Sequence, residues 1–544
     1  MRFYNLLFFP LLLAGTTMAL NCSVSTISAA LPSNVSVSWA YSLAAGSTFD
    51  VPAGDTGFPT SPTNLSACCA VAVEVPAPGN TTYNFGMFLP DTWNGRFLTA
   101  GNSGFAGGIN WLSMGDGLGY GFAVMSTDTG HNSTAIDASW AYEEPEKVVN
   151  WGYRALHGSI VLAKQLTEGY YGKNISYSYY RGCSTGGRQG LKEAEMFPDD
   201  FDGVVAGAPA WWTVHLHLWN MMVGLYNEPV NSSYHVDTSL FSVLGDEVLK
   251  QCDPQDGVED NIIMDPIGCN FRPETLLCTA NATNTSSCFT APQLDTAYHW
   301  YNDWVEANQT FIFSHFQPGS EWQWDTSIGL LSSDVPSPLG TDYVQYMLGL
   351  GPDWSWTEWN PDLIALSDEL NPGNATAGDF DISPFYEKGG KLIHYHGLSD
   401  GSIATGSSIY FYDHVLRALT PQGIDLDDFY RFFLIPGMGH CADTSTTMDA
   451  PWYIAGDGQA GYLGTDVHSV PGFSDAKHDV LLAMLAWVEN GTAPDSIIAT
   501  KYVNDTTHDE VLRQRPLCVY PDQAFYNGTG DVNSTESWTC KSLY

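Results

Sequence analysis

Basic residues are scarce in this chain. It carries 20 Lys and Arg against 60 Asp and Glu in 544 residues, a formal net charge of −40. That balance argues against nucleic acid and anionic membranes as partners, because both repel a strongly acidic surface. The same charge also simply keeps a protein soluble in acidic surroundings, so it names no substrate. Beyond the N-terminus there is no apolar run of the about 18 residues needed to span a bilayer. There is no internal repeat and no low-complexity tract, which excludes solenoids, propellers and arrays. Cysteine is present in odd number, 11, so at least one thiol stays free. One of the adjacent Cys68 and Cys69 is the candidate for that spare.

The N-terminus reads as a secretory signal over residues 1–19. Arg2 supplies the charge, Leu6 to Ala14 a short apolar run interrupted by Pro10, and Thr17-Met18-Ala19 a small-x-small cleavage site. Behind it stand fifteen N-x-S/T sequons, at Asn21, Asn34, Asn64, Asn80, Asn132, Asn174, Asn231, Asn281, Asn284, Asn308, Asn374, Asn490, Asn504, Asn527 and Asn533. One sequon means little; this many behind a signal imply a secreted, extracellular glycoprotein, with the close Asn281 and Asn284 pair not both used. In an oxidising compartment most of the cysteines are expected to pair.

Strand and helix patterns alternate along much of the chain. Strands are expected at Arg96–Ala100, Gly121–Ser126, Ile175–Tyr180 and from Phe201, and again at Lys391–Gly397 and Tyr430–Ile435. Helices are expected over Trp151–Gly169, from Thr185, and over Ala476–Glu489. This alternation predicts an α/β fold with a largely parallel sheet. Between them, residues 211–384 hold ten of the eighteen tryptophans and four cysteines. The change of style marks an inserted domain, dividing the chain into a core of residues 20–210 and 385–544 and an insertion of 211–384.

Gly182-Cys183-Ser184-Thr185-Gly186 fits G-x-S-x-G between an expected strand and an expected helix, the setting of a nucleophile elbow. A serine hydroxyl needs a base to take its proton. His440 follows the strand ending at Ile435, and Asp400 follows the strand ending at Gly397. Catalytic groups at the carboxyl ends of sheet strands are expected in α/β folds, and the order Ser, Asp, His is that of α/β-hydrolases. Ser184 is therefore the candidate nucleophile, His440 the base, and Asp400 the acid that orients it. His131, His394 and His396 also stand at strand ends and are rivals, though a histidine there is more often a hydrogen-bonded core residue. Asp443 is a weaker rival acid, three residues beyond His440. Cysteines flank both candidates, Cys183 before Ser184 and Cys441 after His440. If the two side chains meet, these neighbours stand at the separation a disulfide needs. For the oxyanion, one donor is expected from the Thr185 N–H, the other from the Gly101–Gly104 loop, with Ser103 the choice.

Cys252 to Ile262 places Asp253, Asp256 and Asp260 within eight residues. With the carbonyls of Val258 and Ile262 they could wrap a hard cation such as calcium, in a structural role far along the chain from Ser184. The spacing is not that of an EF-hand, and a solvated acidic turn is the competing reading.

The run Arg181 to Gly190, Asp400, His440-Cys441, Asp128-Thr129-Gly130-His131 and the Cys252–Ile262 loop together resemble the secreted tannase and feruloyl esterase family, over almost the whole mature chain. The resemblance implies an α/β-hydrolase fold with a large inserted lid domain, the triad Ser184, Asp400 and His440, and a Cys183–Cys441 bridge. It implies calcium at Asp253, Asp256, Val258, Asp260 and Ile262, and bridges Cys22–Cys69, Cys252–Cys269, Cys278–Cys288 and Cys518–Cys540, leaving Cys68 over. No organic cofactor is implied. Within the family the chain looks more like the feruloyl esterase B type, since tannases more often carry an acidic residue where Thr185 stands. The implied activity is release of ferulic or related hydroxycinnamic acids from plant cell-wall polysaccharide such as xylan, to which the lid tryptophans are suited as platforms for a planar acyl group; for any one of them, packing within the lid is the commoner role. The alternatives are a tannase acting on gallate esters and, in another class, a silent phenolic- or carbohydrate-binding protein. The oligomeric state stays open, a homodimer included.

Overall fold

The computed structural model describes residues 20–280 and 285–542. The expected signal, residues 1–19, and the sequons at Asn281 and Asn284 lie outside the described residues. Nine strands form one sheet. They are β1 (Ser36–Leu43), β2 (Cys68–Ala77), β3 (Thr81–Pro90), β4 (Arg96–Ala100), β5 (Ala123–Thr127), β6 (Tyr177–Cys183), β7 (Gly203–Gly207), and, after a two-strand hairpin of β8 (Trp304–Val305) and β9 (Phe311–Phe313), β10 (Lys391–Gly397) and β11 (Tyr430–Ile435). The order is β1-β2-β3-β5-β4-β6-β7-β10-β11. The first three pair antiparallel, β3 joins β5 antiparallel, and every later junction is parallel.

The parallel strands are short and apolar because both faces are covered. Gly203-Val204-Val205-Ala206-Gly207, for example, is buried throughout. Helices Ala155–Tyr171, Thr185–Met196 and Gly406–Leu419 pack on one face with Leu166, Leu191 and Val415. Helices Trp111–Gly119 and Val480–Asn490 pack on the other with Met114, Leu118 and Met484. The last helix starts four residues later than its apolar pattern suggests. Asp479 caps it, its carboxylate accepting from the N–H groups of Leu481 and Leu482 at 2.8 and 2.9 Å.

Residues between β7 and β10 build a core of their own, shared with Phe105 and Trp151 of the sheet-bearing part. Of the ten tryptophans there, Trp211, Trp219, Trp300, Trp304, Trp324 and Trp354 are buried. Trp324 packs with Trp300, Phe316 and Phe241 at ring separations of 5.3, 5.0 and 5.5 Å. These rings are spent on packing; only Trp212, Trp322, Trp356 and Trp359 keep partial exposure.

Five disulfides form: Cys22–Cys69, Cys183–Cys441, Cys252–Cys269, Cys278–Cys288 and Cys518–Cys540. Cys68 is free and buried, and burial beside Asp91 pushes its thiol up to about 12. Every described sequon asparagine is exposed except Asn533, which is half-buried. Among the described residues no helix is long and apolar enough to cross a membrane.

Candidate active site

Ser184 sits where β6 turns into helix Thr185–Met196, with φ 63° and ψ −124°. A non-glycine residue held there stores about 1–3 kcal/mol of strain. The surrounding backbone enforces it. Ser184 N–H donates to Gly207 O, and Ser184 O accepts from Arg188 and Ala210 N–H, each at 3.0 Å. The turn also needs its glycines. A Cβ on Gly182 would lie 2.6 Å from Gly186 C, and one on Gly186 would lie 2.9 Å from Asn102 O. Ser184 is partly exposed, while its neighbours on both sides are buried.

Asp400 and His440 follow β10 and β11. His440 Nδ1–H donates to Asp400 Oδ2 at 2.7 Å, which leaves Nε2 bare, the form a general base requires. Asp400 is 1% exposed. Its Oδ1 accepts from the N–H groups of Ser402 and Ile403, both at 2.8 Å, and its Oδ2 also accepts from His396 Nε2–H at 2.9 Å. Burial alone would raise the carboxyl's affinity for a proton. The attraction of His440 in its protonated form, with the hydrogen bonds from both histidines, outweighs that and holds Asp400 well below the usual carboxylate range. The Cys183–Cys441 bridge holds the two loops with 5.9 Å between its Cα atoms. Gln459 supports the far side, donating to Cys441 O at 3.0 Å.

None of the rivals takes the place of His440 or Asp400. His131 stacks on Trp140 at 3.6 Å and bonds Phe105 O, and burial lowers it to about 4. Asp443 accepts from the adjacent Thr444 N–H. His394 and His396 lie in the core beneath Asp400.

The loop after β4 lies against the elbow. Asn102 N–H is already engaged by Gln189 Oε1 at 3.0 Å, and Asn102 Oδ1 accepts from Gln189 Nε2–H. Thr185 Oγ1–H donates to Gly104 O at 2.9 Å. Thr185 N–H is the first of its helix and has no partner within it. Ser103 and Gly104 are the part-exposed residues of this loop.

The supporting roles of four residues escaped the reading of the sequence, including His396, which stood there only as a rival to His440. Gln189 is one. Arg188 is buried and donates to the carbonyls of Gly152, Trp151 and Ala375, tying the elbow helix to the residues before β10. Both stand in the Ser184 motif, which was a signal of a kind. His396 is the third. The fourth, Gln323, has no local signal. Its Oε1 accepts from Gly401 N–H at 2.8 Å and from His440 N–H at 2.9 Å, joining the Asp and His loops to the segment between β7 and β10.

Asp253, Asp256 and Asp260 lie in one loop closed by Cys252–Cys269. Asp256 Oδ1 accepts from Val258 N–H, but its Oδ2 is buried without a partner, and burial with the Asp260 and Asp253 charges raises it to about 6. An orphaned buried carboxylate oxygen fits a hard cation. Asp260 is part-neutralised by Arg515 at 2.7 Å. Asn261 donates to Thr447 O, so this loop touches the one that carries His440. Among the described residues His157, Glu193 and Asp200 also converge closely enough for a metal, but Lys164 stands 4.0 Å from Asp200 and already supplies positive charge there.

The model of the tannase and feruloyl esterase family matches residues 68–327 and 357–541. The chain belongs to the tannase and feruloyl esterase family. Among the relatives of this family member, a probable feruloyl esterase B of Aspergillus clavatus is 33% identical over 525 residues, 96% of each chain. The crystal structure of feruloyl esterase B from Aspergillus oryzae aligns at 33% identity with a TM-score of 0.86, covering 95% of this chain and 99% of that one. A tannin acyl hydrolase from Aspergillus niger shares the fold at 23% identity, TM-score 0.73, over 96% of this chain and 95% of its own. This tannase and feruloyl esterase family chain is a serine carboxylesterase of the feruloyl esterase type.

Proposed function

We propose that this secreted esterase releases ferulic or related hydroxycinnamic acids from esterified plant cell-wall polysaccharide, through an acyl-enzyme on Ser184. The observation that carries the reading is the His440–Asp400 bond of 2.7 Å on a loop bridged to the strained Ser184 turn. His440 Nε2 takes the hydroxyl proton as Ser184 Oγ attacks the ester carbonyl. The oxyanion is met by the N–H groups of Thr185 and Ser103. As the tetrahedral adduct collapses, the C–O bond to the sugar breaks and His440 returns the proton to the leaving alcohol. Water then attacks the acyl-enzyme carbonyl, losing a proton to His440; the bond to Ser184 Oγ breaks, His440 returns that proton to the serine, and the free phenolic acid leaves. Residues 211–384 act as the lid over this site. The A. oryzae and A. clavatus relatives named feruloyl esterase B support the acyl preference, as does Thr185 in place of an acidic residue.

A panel of methyl ferulate, methyl caffeate and methyl gallate tests this. The hydroxycinnamates should exceed gallate in kcat/KM by tenfold or more, since a pocket shaped for the longer acyl arm leaves the short one misplaced (~10–200-fold for one missing methylene-sized contact). Exclusive cleavage of gallate would make the protein a tannase instead.

Asp253, Asp256 and Asp260, with the Val258 and Ile262 carbonyls, would hold calcium as a structural ion. Its chemistry there is charge neutralisation within a loop that touches the His440 loop. A chelator should lower Tm by several degrees, and added calcium should restore it. An unchanged Tm in the chelator would remove the ion from the account.

A further inference from the structure

The hydrogen bond from His396 to Asp400 is the last of a buried series. His396 Nε2 faces two acceptors, Asp400 Oδ2 at 2.9 Å and Ile403 O at 3.1 Å, so it carries the hydrogen. In a neutral ring Nδ1 is then bare and takes the Ser408 hydroxyl proton, at 2.7 Å. With its one proton spent, Ser408 Oγ accepts from His394 Nε2–H at 2.9 Å. His394 Nδ1 is left to accept from Tyr430 O–H at 2.8 Å. One observation at Asp400 thus orders every member, and all four donors point toward the carboxylate. His394, His396 and Ser408 are each 0% exposed, and Tyr430 likewise. Burial holds His394 well below its ordinary value, in keeping with the neutral form the series needs.

We propose that His396 is a positioning residue for the reaction: a second histidine on Asp400 that fixes the carboxylate so that His440 is held at the angle proton transfer requires. The inference rests on the reading of Ser184, Asp400 and His440 as the catalytic group. Two backbone N–H groups grip Oδ1, and Oδ2 is shared between His440 and His396. Without His396, Oδ2 is held only by the group it is meant to orient. The carboxylate can then turn about the Cβ–Cγ bond toward whichever donor is nearest, carrying the imidazole with it. The donors behind His396 polarise one another in the same sense, so the Nε2–H offered to Asp400 is a strong one. The chain thereby spends four core side chains, on β10, β11 and helix Gly406–Leu419, on a single oxygen atom.

The test uses the full-length enzyme with methyl ferulate. His396→Phe fills the space and offers no donor. Its kcat should fall roughly tenfold to a hundredfold with KM within about twofold, the signature of a misplaced base. The low-field proton resonance of the His440–Asp400 bond should broaden or vanish. His396→Gln can place an N–H where the ring Nε2 stands, and should recover most of kcat and the resonance. A His396→Phe enzyme within about twofold of wild-type kcat overturns the inference, as does a Gln variant as slow as the Phe variant at equal Tm. If the Phe variant does not fold, Ser408→Ala decides: loss of the donor to Nδ1 should shift the low-field resonance and lower kcat several-fold, and no change in either overturns the inference. Ser184→Ala is run in parallel. Turnover surviving in Ser184→Ala refutes the catalytic reading itself; a dead Ser184→Ala beside an unimpaired His396→Phe refutes only the role of His396.

Discussion

Ser184→Ala should abolish ester hydrolysis while leaving the fold in place, with kcat falling by roughly 10⁴ to 10⁶ and KM little changed. The size follows from what the elbow is built for. Strained backbone, three backbone hydrogen bonds and two close-packed glycines all serve to present one hydroxyl. The methyl of alanine occupies the same turn without clash, so stability should be kept or slightly changed. Wild-type protein should be labelled at Ser184 by a fluorophosphonate, and the variant should not be. Asp400→Asn is the companion: it preserves shape but disturbs the tautomer of His440, at a cost of about 10⁴ in kcat. Near-full turnover in Ser184→Ala would end the acyl-enzyme account, whatever the substrate panel showed.

The second large effect is expected from Cys183→Ala/Cys441→Ala. The bridge spans 258 residues, and closing so long a loop stabilises by about 5 kcal/mol in the chain-entropy picture. The other four disulfides close far shorter loops, of 10 to 47 residues, so none substitutes for it. The double variant should therefore melt at a clearly lower temperature. Below that temperature kcat should already be down by roughly tenfold to a hundredfold, because a small drift of His440 from Ser184 is expensive. The bond sits one residue from each group, and Cys441 itself lies at φ 64°, so little slack exists between bridge and base. Full turnover together with an unchanged Tm would make the bridge incidental.

The parallel strands were legible from sequence because burial on both faces writes them as continuous apolar runs. Ser184, Asp400 and His440 were legible as candidates because each falls within a few residues of the end of such a run, with a glycine one or two residues away. Of the three antiparallel strands before β4, β1 was not read because its half-buried edge residues lack that signature, whereas β2 and β3 are largely buried and were passed over despite apolar runs such as Cys69 to Val73. Gln323, and the bond of His396 to Asp400, were out of reach for another reason. Gln323 meets partners 78 and 117 residues away, and a buried polar side chain carries no mark of its partner until the chain is folded. The loop at Asp253–Ile262 was legible as a cluster of carboxylates, but its contact with the His440 loop through Asn261 was not.

Gln323 makes one carbonyl oxygen common to three parts of the molecule. Gly401 and His440 each give it a backbone N–H, and Gln323 itself belongs to a short helical turn, Glu321–Gln323, in the segment between β7 and β10. Displacing that segment would free both N–H groups and loosen the loops that carry Asp400 and His440. The two loops and the segment between β7 and β10 are thus expected to hold their places together, so that loosening any one of them loosens the other two.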